Sequence, residues 1–235
     1  MSNKTRGNLL ILFVILLFLI NSYPDFKQSK ELTQLFVPNY YSEGKEVKDI
    51  MRKTYSLPHK FQDILINNDI KINYVTWMIN EIPEYEKIWD FNVLGVFEGS
   101  KSNILVTYKE NTDHDLIGPY YLSINTFHEI GHAIDYDYVL EKDGYSYSST
   151  PEFHSIFTEE SPMLFKNIDI EGYGDYYSAT RHEYFAESFA FYYASRETKE
   201  HLRMYAPKTY AYIKKISASS NQYTFLDFIK DKLRI

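Results

Sequence analysis

The chain of 235 residues contains no cysteine. That excludes disulfides, a thiol nucleophile, thiolate-ligated zinc and a lipoprotein attachment site. An excess of basic residues is also missing: 25 Lys and Arg stand against 32 Asp and Glu, a net charge of -7. A nucleic-acid partner, which calls for a basic face, is thereby disfavoured. Internal repeats, low-complexity tracts and Gly/Ser linkers are absent, which predicts one folded domain over residues 23–235. Long apolar runs are missing too, apart from Leu9 to Ile20 (LLILFVILLFLI) behind Lys4 and Arg6. At about 12 residues this run is short for a spanning helix and suits a signal peptide. Residues 1–22 are therefore expected to be a cleaved leader, with export of the rest. The alternative is an uncleaved N-terminal anchor, the one membrane contact expected.

What the chain has in quantity is tyrosine, 23 copies. An amphipathic ring suits half-exposed positions, or the lining of a groove for an extended peptide. Tyr23 to Asn39 reads as a polar lead-in. Lys60 to Asn68 predicts a short helix. Ile70 to Met78 alternates apolar and polar residues and predicts a strand, and Ile104 to Tyr108 is a second strand candidate after the Gly99-Ser100 turn signal. Beyond Ser123 the pattern becomes helical: Ile124, Phe127, Ile130 and Ile134 mark a helix from Leu122 to Glu141. A second helix runs from Arg181 to Ala194, with Phe185, Phe189 and Tyr192 on one stripe. A third opens at Pro207, with Tyr210, Ile213 and Ile216 in period. Strands in front and helices behind make the fold class α+β.

The second half carries the chemistry. In FHEIGHAIDY, His128 and His132 stand one helical turn apart, so both rings reach one ion from one face. Glu129 projects beside them, where a metal-bound water would sit and a general base is needed. A catalytic zinc takes three protein ligands and keeps one position open. The positions where a glycine and a third histidine would extend the motif hold Asp135 and Tyr138, so the third ligand is sought as a carboxylate on a later helix. HEYFAESF supplies Glu183 and Glu187 at i and i+4: one binds the ion, the other supports a ligand histidine. His182 points about 100° away from Glu183 and reads as surface. His59, His114, His154 and His201 lack any partner spacing. Asp135 either orients a ligand histidine or settles a local charge pair. Gly131, inside a helix at a cost of about 1 kcal/mol, signals close packing or metal approach. The Ile104 to Tyr108 strand is expected at a sheet edge, where an extended substrate can pair with it.

HEIGHAID, HEYFAESFAFYY and APKTYAYIKKI, in that order, resemble the lethal-factor-like zinc metallopeptidases. That family includes the anthrax lethal factor catalytic domain and the secreted Pro-Pro endopeptidases. The resemblance covers roughly Ile117 to Ile216, with fainter similarity around Trp89 to Gly95. It implies a zincin-like fold with a small strand-containing N-terminal lobe, a helical C-terminal lobe and the active site between them. It implies one zinc ion held by His128, His132 and Glu183, with Glu187 behind a ligand. It places the oxyanion donor at Tyr176, seven residues before Glu183, with Tyr177 as the neighbouring candidate. Trp89 and Tyr177 are then expected to contact substrate. The implied activity is hydrolysis of peptide bonds in a protein or peptide substrate, at Pro-Pro bonds of an extracellular or surface protein. The alternatives are a toxin peptidase acting on host proteins and a non-catalytic zinc-binding interaction domain.

Overall fold

A computed structural model describes residues 28–38, 44–76, 94–108, 119–141, 146–166, 168 and 172–218. The apolar run at residues 9–20, Trp89 and His114 lie outside the described residues. Among the described residues no helix is long and apolar enough to cross a membrane.

Three helices precede the sheet: α1 (28–35), α2 (Lys45–Tyr55) and α3 (His59–Asn67). The segment expected to be a polar lead-in thus contains α1. Leu32, Leu35 and Phe36 fall at helical spacing and are buried, while the residues between them are polar. α2 also has no counterpart among the expected elements; it buries Val47, Ile50 and Thr54 along one stripe of a charged helix.

The strands are β1 (Lys71–Val75), β2 (Gly95–Glu98) and β3 (Asn103–Thr107), in the order β1-β3-β2. β1 runs parallel to β3, Ile72 opposite Ile104. β2 runs antiparallel to β3, Gly95 opposite Val106 and Phe97 opposite Ile104. The strand expected at an edge is therefore the central one. Its outer neighbour toward the site is β2, four half-buried residues too short to show an alternation. Ile72, Tyr74, Ile104 and Val106 turn inward, as period-two burial requires.

The rest is helical: α4 (Pro119–Glu141), α5 (Pro151–Leu164), α6 (Tyr173–Tyr177), α7 (Arg181–Tyr193), α8 (Arg196–Tyr205) and α9 (Pro207–Ala218). Ile124, Phe127, Ile130 and Ile134 of α4 are all buried, each worth about 1.5–3 kcal/mol of transfer free energy. α5 carries Pro162 inside it, which masks its helical pattern in the sequence. The sheet, α3, α4, α5 and α7 share one continuous core, with Phe61, Phe127, Phe153, Phe185 and Phe189 fully buried. Many tyrosines belong to this core rather than to the surface. Their hydroxyls find partners inside it: Tyr184 meets Thr209 at 2.8 Å and Tyr212 donates to the Tyr147 carbonyl at 3.0 Å.

The α4–α7 contact brings the two motifs together. A Cβ on Gly131 would lie 2.9 Å from Ala186 Cα and 3.2 Å from its carbonyl oxygen. The absence of a side chain at Gly131 lets the helices touch backbone to backbone, so close packing is the reason for the glycine.

Candidate metal centre

α4 presents His128 and His132 on one face, their Nε2 atoms 3.0 Å apart. α7 begins at Thr180, whose hydroxyl accepts the Glu183 backbone N–H at 3.2 Å. This cap sets Glu183 in the first helical turn, facing α4. Glu183 Oε2 lies 3.2 Å from His128 Nε2 and 3.5 Å from His132 Nε2. Among the described residues these three side chains form the group that could hold a metal ion.

Glu187, fully buried one turn later, stands behind the first histidine. His128 Nδ1 donates to Glu187 Oε2 at 2.8 Å, which directs Nε2 toward Glu183 and His132, where a metal ion would take the place of its proton. The Tyr173 hydroxyl donates to the other Glu187 oxygen. Sequence reading does not single this tyrosine out; its only trace is its place in the Gly172–Gly174 turn. Replacing Glu187 by glutamine is expected to weaken metal affinity about 10- to 100-fold, measured by competition with a chromogenic chelator. Unchanged affinity would remove Glu187 from this supporting role.

The electrostatics of the cluster suit a cation. Burial opposes protonation of His128, yet the Glu183 and Glu187 carboxylates outweigh it and push the ring up to about 10. Burial would raise Glu183, but His128 and His132 hold its carboxyl well below the usual carboxylate range. Glu183 Oε2 is buried and faces both ring Nε2 atoms without a well-formed hydrogen bond to either. Two ring nitrogens and one carboxylate oxygen thus converge where positive charge is favoured. Two imidazoles and a carboxylate are a donor set that fits a divalent transition metal.

Glu129 is buried beside this group. Burial raises its carboxyl, and the two histidines partly offset the rise. Tyr176 and Tyr177 follow each other in α6 but point differently. Tyr176 is 43% exposed and lines the cleft. Burial, then the Glu183, Glu129 and Glu187 charges, raise its phenol far above the usual range, so it stays a donor. Tyr177 turns back into the protein, its ring 5.1 Å from His128 and packed on Phe165 and Tyr173. It forms a wall behind the histidine and is not among the residues that line the cleft.

The cleft encloses about 350 Å³. Its lining includes His128, Glu129, His132, Tyr176 and Glu183, with Gly95 to Phe97 of β2 along one side and His182 on its wall. His182 is exposed, as expected, and also bonded: its Nδ1 meets Ser148 Oγ at 2.7 Å and Asp135 Oδ2 at 3.1 Å. Asp135 also accepts from the Ser148 N–H and hydroxyl. Asp135 thus settles a local cluster instead of orienting a ligand histidine. His59 and His201 bond Gln28 and the Leu164 carbonyl, away from the site.

An α+β domain with an H-E-x-x-H helix, a glutamate from a later helix packed against it and a small sheet beside the cleft is of the zincin-like class. Residues 23–216 match the family described as anthrax toxin lethal factor, N- and C-terminal domain, and the chain belongs to that family. It is similar to the Pro-Pro endopeptidase of Clostridioides difficile (strain 630), 25% identical over 232 residues. That alignment covers 88% of this chain and 97% of the relative. The Pro-Pro endopeptidase of Paenibacillus alvei is 27% identical over 228 residues, 89% of this chain and 96% of its own. The solved structure of the Paenibacillus alvei Pro-Pro endopeptidase superposes with a TM-score of 0.56 at 25% identity, covering 79% of this chain and 99% of that one.

Proposed function

We propose that the chain is an exported zinc endopeptidase of the His₂Glu type that cuts peptide bonds between consecutive prolines. The observation that carries the reading is the convergence of His128, His132 and Glu183 in a cleft that also holds a buried, non-ligating carboxylate, Glu129. An ion-binding scaffold alone has no need of that fourth group. The proline preference is supported by the names of the two relatives. Export is supported by the apolar run from Leu9 to Ile20 behind Lys4 and Arg6.

His128, His132 and Glu183 would hold the zinc. When bound, the ion supplies Lewis acidity, bringing a water pKa toward ~7 and polarising the scissile carbonyl. Glu129 accepts the proton of the attacking water at its carboxylate and returns it to the leaving nitrogen. Burial of that carboxylate makes it a stronger base than an exposed one, which suits the proton shuttle. The Tyr176 phenol donates to the oxygen that becomes negative, a contribution of roughly 3–4 kcal/mol for such donors. Glu187 and Tyr173 hold the His128 ring in the tautomer that a ligand requires.

The test is digestion of a peptide library by the zinc-loaded chain, with each product mapped by mass spectrometry. Cuts between consecutive prolines are expected. Cuts confined to other sequences would retain the peptidase and discard the proline preference. No cleavage at all by a chain carrying one zinc would overturn the enzymatic reading and favour a binding domain.

A further inference from the structure

β2 and α4 meet at the Glu129 carboxylate. The Thr107 N–H donates to the Leu94 carbonyl at 2.8 Å, so Leu94 and Val96 occupy the bonded positions of the antiparallel ladder. Alternation turns the backbone groups of Gly95 and Phe97 away from β3, toward the outer edge of the strand. On that edge the Phe97 N–H donates to the Glu129 carboxylate. Two residues earlier, a Cβ on Gly95 would fall 2.5 Å from Glu129 Oε1, 2.9 Å from its Cγ and 3.0 Å from its Cδ. Because Cγ and Cδ are blocked as well as the oxygen, spinning the carboxylate about its last bond relieves nothing.

The strand is held by its ladder to β3 and packs on α4 further along. Two turns along α4 from Glu129, the Tyr136 ring lies 5.8 Å from the Phe97 ring, edge to face. A Cβ on Gly99 would meet the same tyrosine ring at 3.1 Å. The backbone of Gly95 itself needs no glycine, since Gly172 is the glycine with a positive φ among the described residues. Space, not conformation, is the reason for Gly95.

We infer that Gly95 is a positioning residue for Glu129: its missing side chain is the space in which the carboxylate rests against the Phe97 N–H. An added methyl meets a fixed strand on one side and a side chain with freedom toward the cleft on the other. The glutamate moves and the fold stays. Gly95→Ala therefore displaces the carboxylate from its anchor while leaving the His128, His132 and Glu183 cluster in place.

The kinetic consequence rests on Glu129 acting as the general base proposed above; the structural one does not. In the full chain, Gly95→Ala is expected to lower kcat about 100-fold, the scale of a 1 Å misplacement. KM, zinc content and melting temperature should stay close to those of the parent. In a Glu129→Asp background, whose shorter side chain leaves room for the methyl, the same substitution should cost less than about 10-fold.

The Phe97 amide gives a readout independent of activity. Its proton resonance should move upfield, and its hydrogen exchange should quicken, in both Gly95→Ala and Glu129→Ala. Adding Gly95→Ala to Glu129→Ala should change neither further. A Phe97 amide unmoved by Gly95→Ala would overturn the inference, as would an equal kcat loss in the parent and in the Glu129→Asp background. If the amide responds as expected but the parent chain cleaves no peptide, the positioning of Glu129 stands and the peptidase reading fails.

Discussion

Glu129→Gln is expected to leave about one zinc per chain and to lower kcat by about 10²- to 10⁴-fold, the usual contribution of a general base. Glutamine keeps the length and shape of the side chain but cannot accept the proton. Glu129 is not among the three side chains that converge as candidate ligands, so the ion should remain. The substitution also avoids stranding a charge: the site is 5% exposed, and a neutral amide can sit there without a compensating cation. Zinc content by atomic emission and kcat on a cleaved peptide should be measured on the same preparation. Activity within about tenfold of the parent, in material free of other peptidases, would sink the proton-transfer role. Loss of zinc together with activity would instead place Glu129 in the metal shell.

Gly131→Val is expected to damage both fold and metal site. Helix propensity alone predicts a gain of some tenths of a kcal/mol on replacing glycine. The packing predicts the reverse, because a Cβ would sit 2.9 Å from Ala186 Cα and 3.3 Å from Phe189 Cβ. A helix backbone cannot yield as a flexible side chain does, so α4 and α7 must separate. Overpacking of this kind costs about 1–3 kcal/mol, outweighing the propensity term. The metal-free chain should melt about 3–10 °C lower. Ala186 lies between Glu183 and Glu187, so the same separation draws a ligand and its supporting carboxylate away from the histidines. Zinc affinity should fall by at least about tenfold in a chelator titration. A variant with the parent's melting temperature and zinc affinity would contradict the backbone contact.

Gly131 also marks the limit of what a sequence can tell. A glycine inside a helical period announces close approach, because local propensity opposes it. Which partner comes close is a matter of contact between Gly131 and Ala186, segments far apart in the chain. The same holds for Glu183 and Glu187. Their spacing puts both on one face, and periodicity treats them alike. The Thr180 cap and the orientation of α7 separate them, turning Glu183 toward both Nε2 atoms and Glu187 toward His128 Nδ1.

Several elements left no usable pattern. β2 is four residues long, too short for alternation to be told from chance. α1 and α2 hide a narrow apolar stripe in a polar sequence, and Pro162 disguises α5. The central place of β3 is equally invisible, since alternation shows that a strand is half-buried but not which neighbours pair with it. The sequence leaves Asp135 with two roles and His182 on the surface, and gives Ser148 no role; only folding joins the three.

The sequence by itself determined the elements whose signals are local. The 3.6-residue period placed FHEIGHAIDY and HEYFAESFAFYY on helices, and the one-turn spacing put His128 and His132 on one face with Glu129 alongside. Tertiary structure decided everything that depends on approach between distant segments: the α4–α7 contact at Gly131, the choice between the two glutamates, the separate directions of Tyr176 and Tyr177, and the seating of Glu129 against Gly95 and Phe97. The division has one physical cause. Backbone geometry repeats over a few residues and leaves its period in the sequence, whereas close packing joins surfaces whose fit no single segment contains.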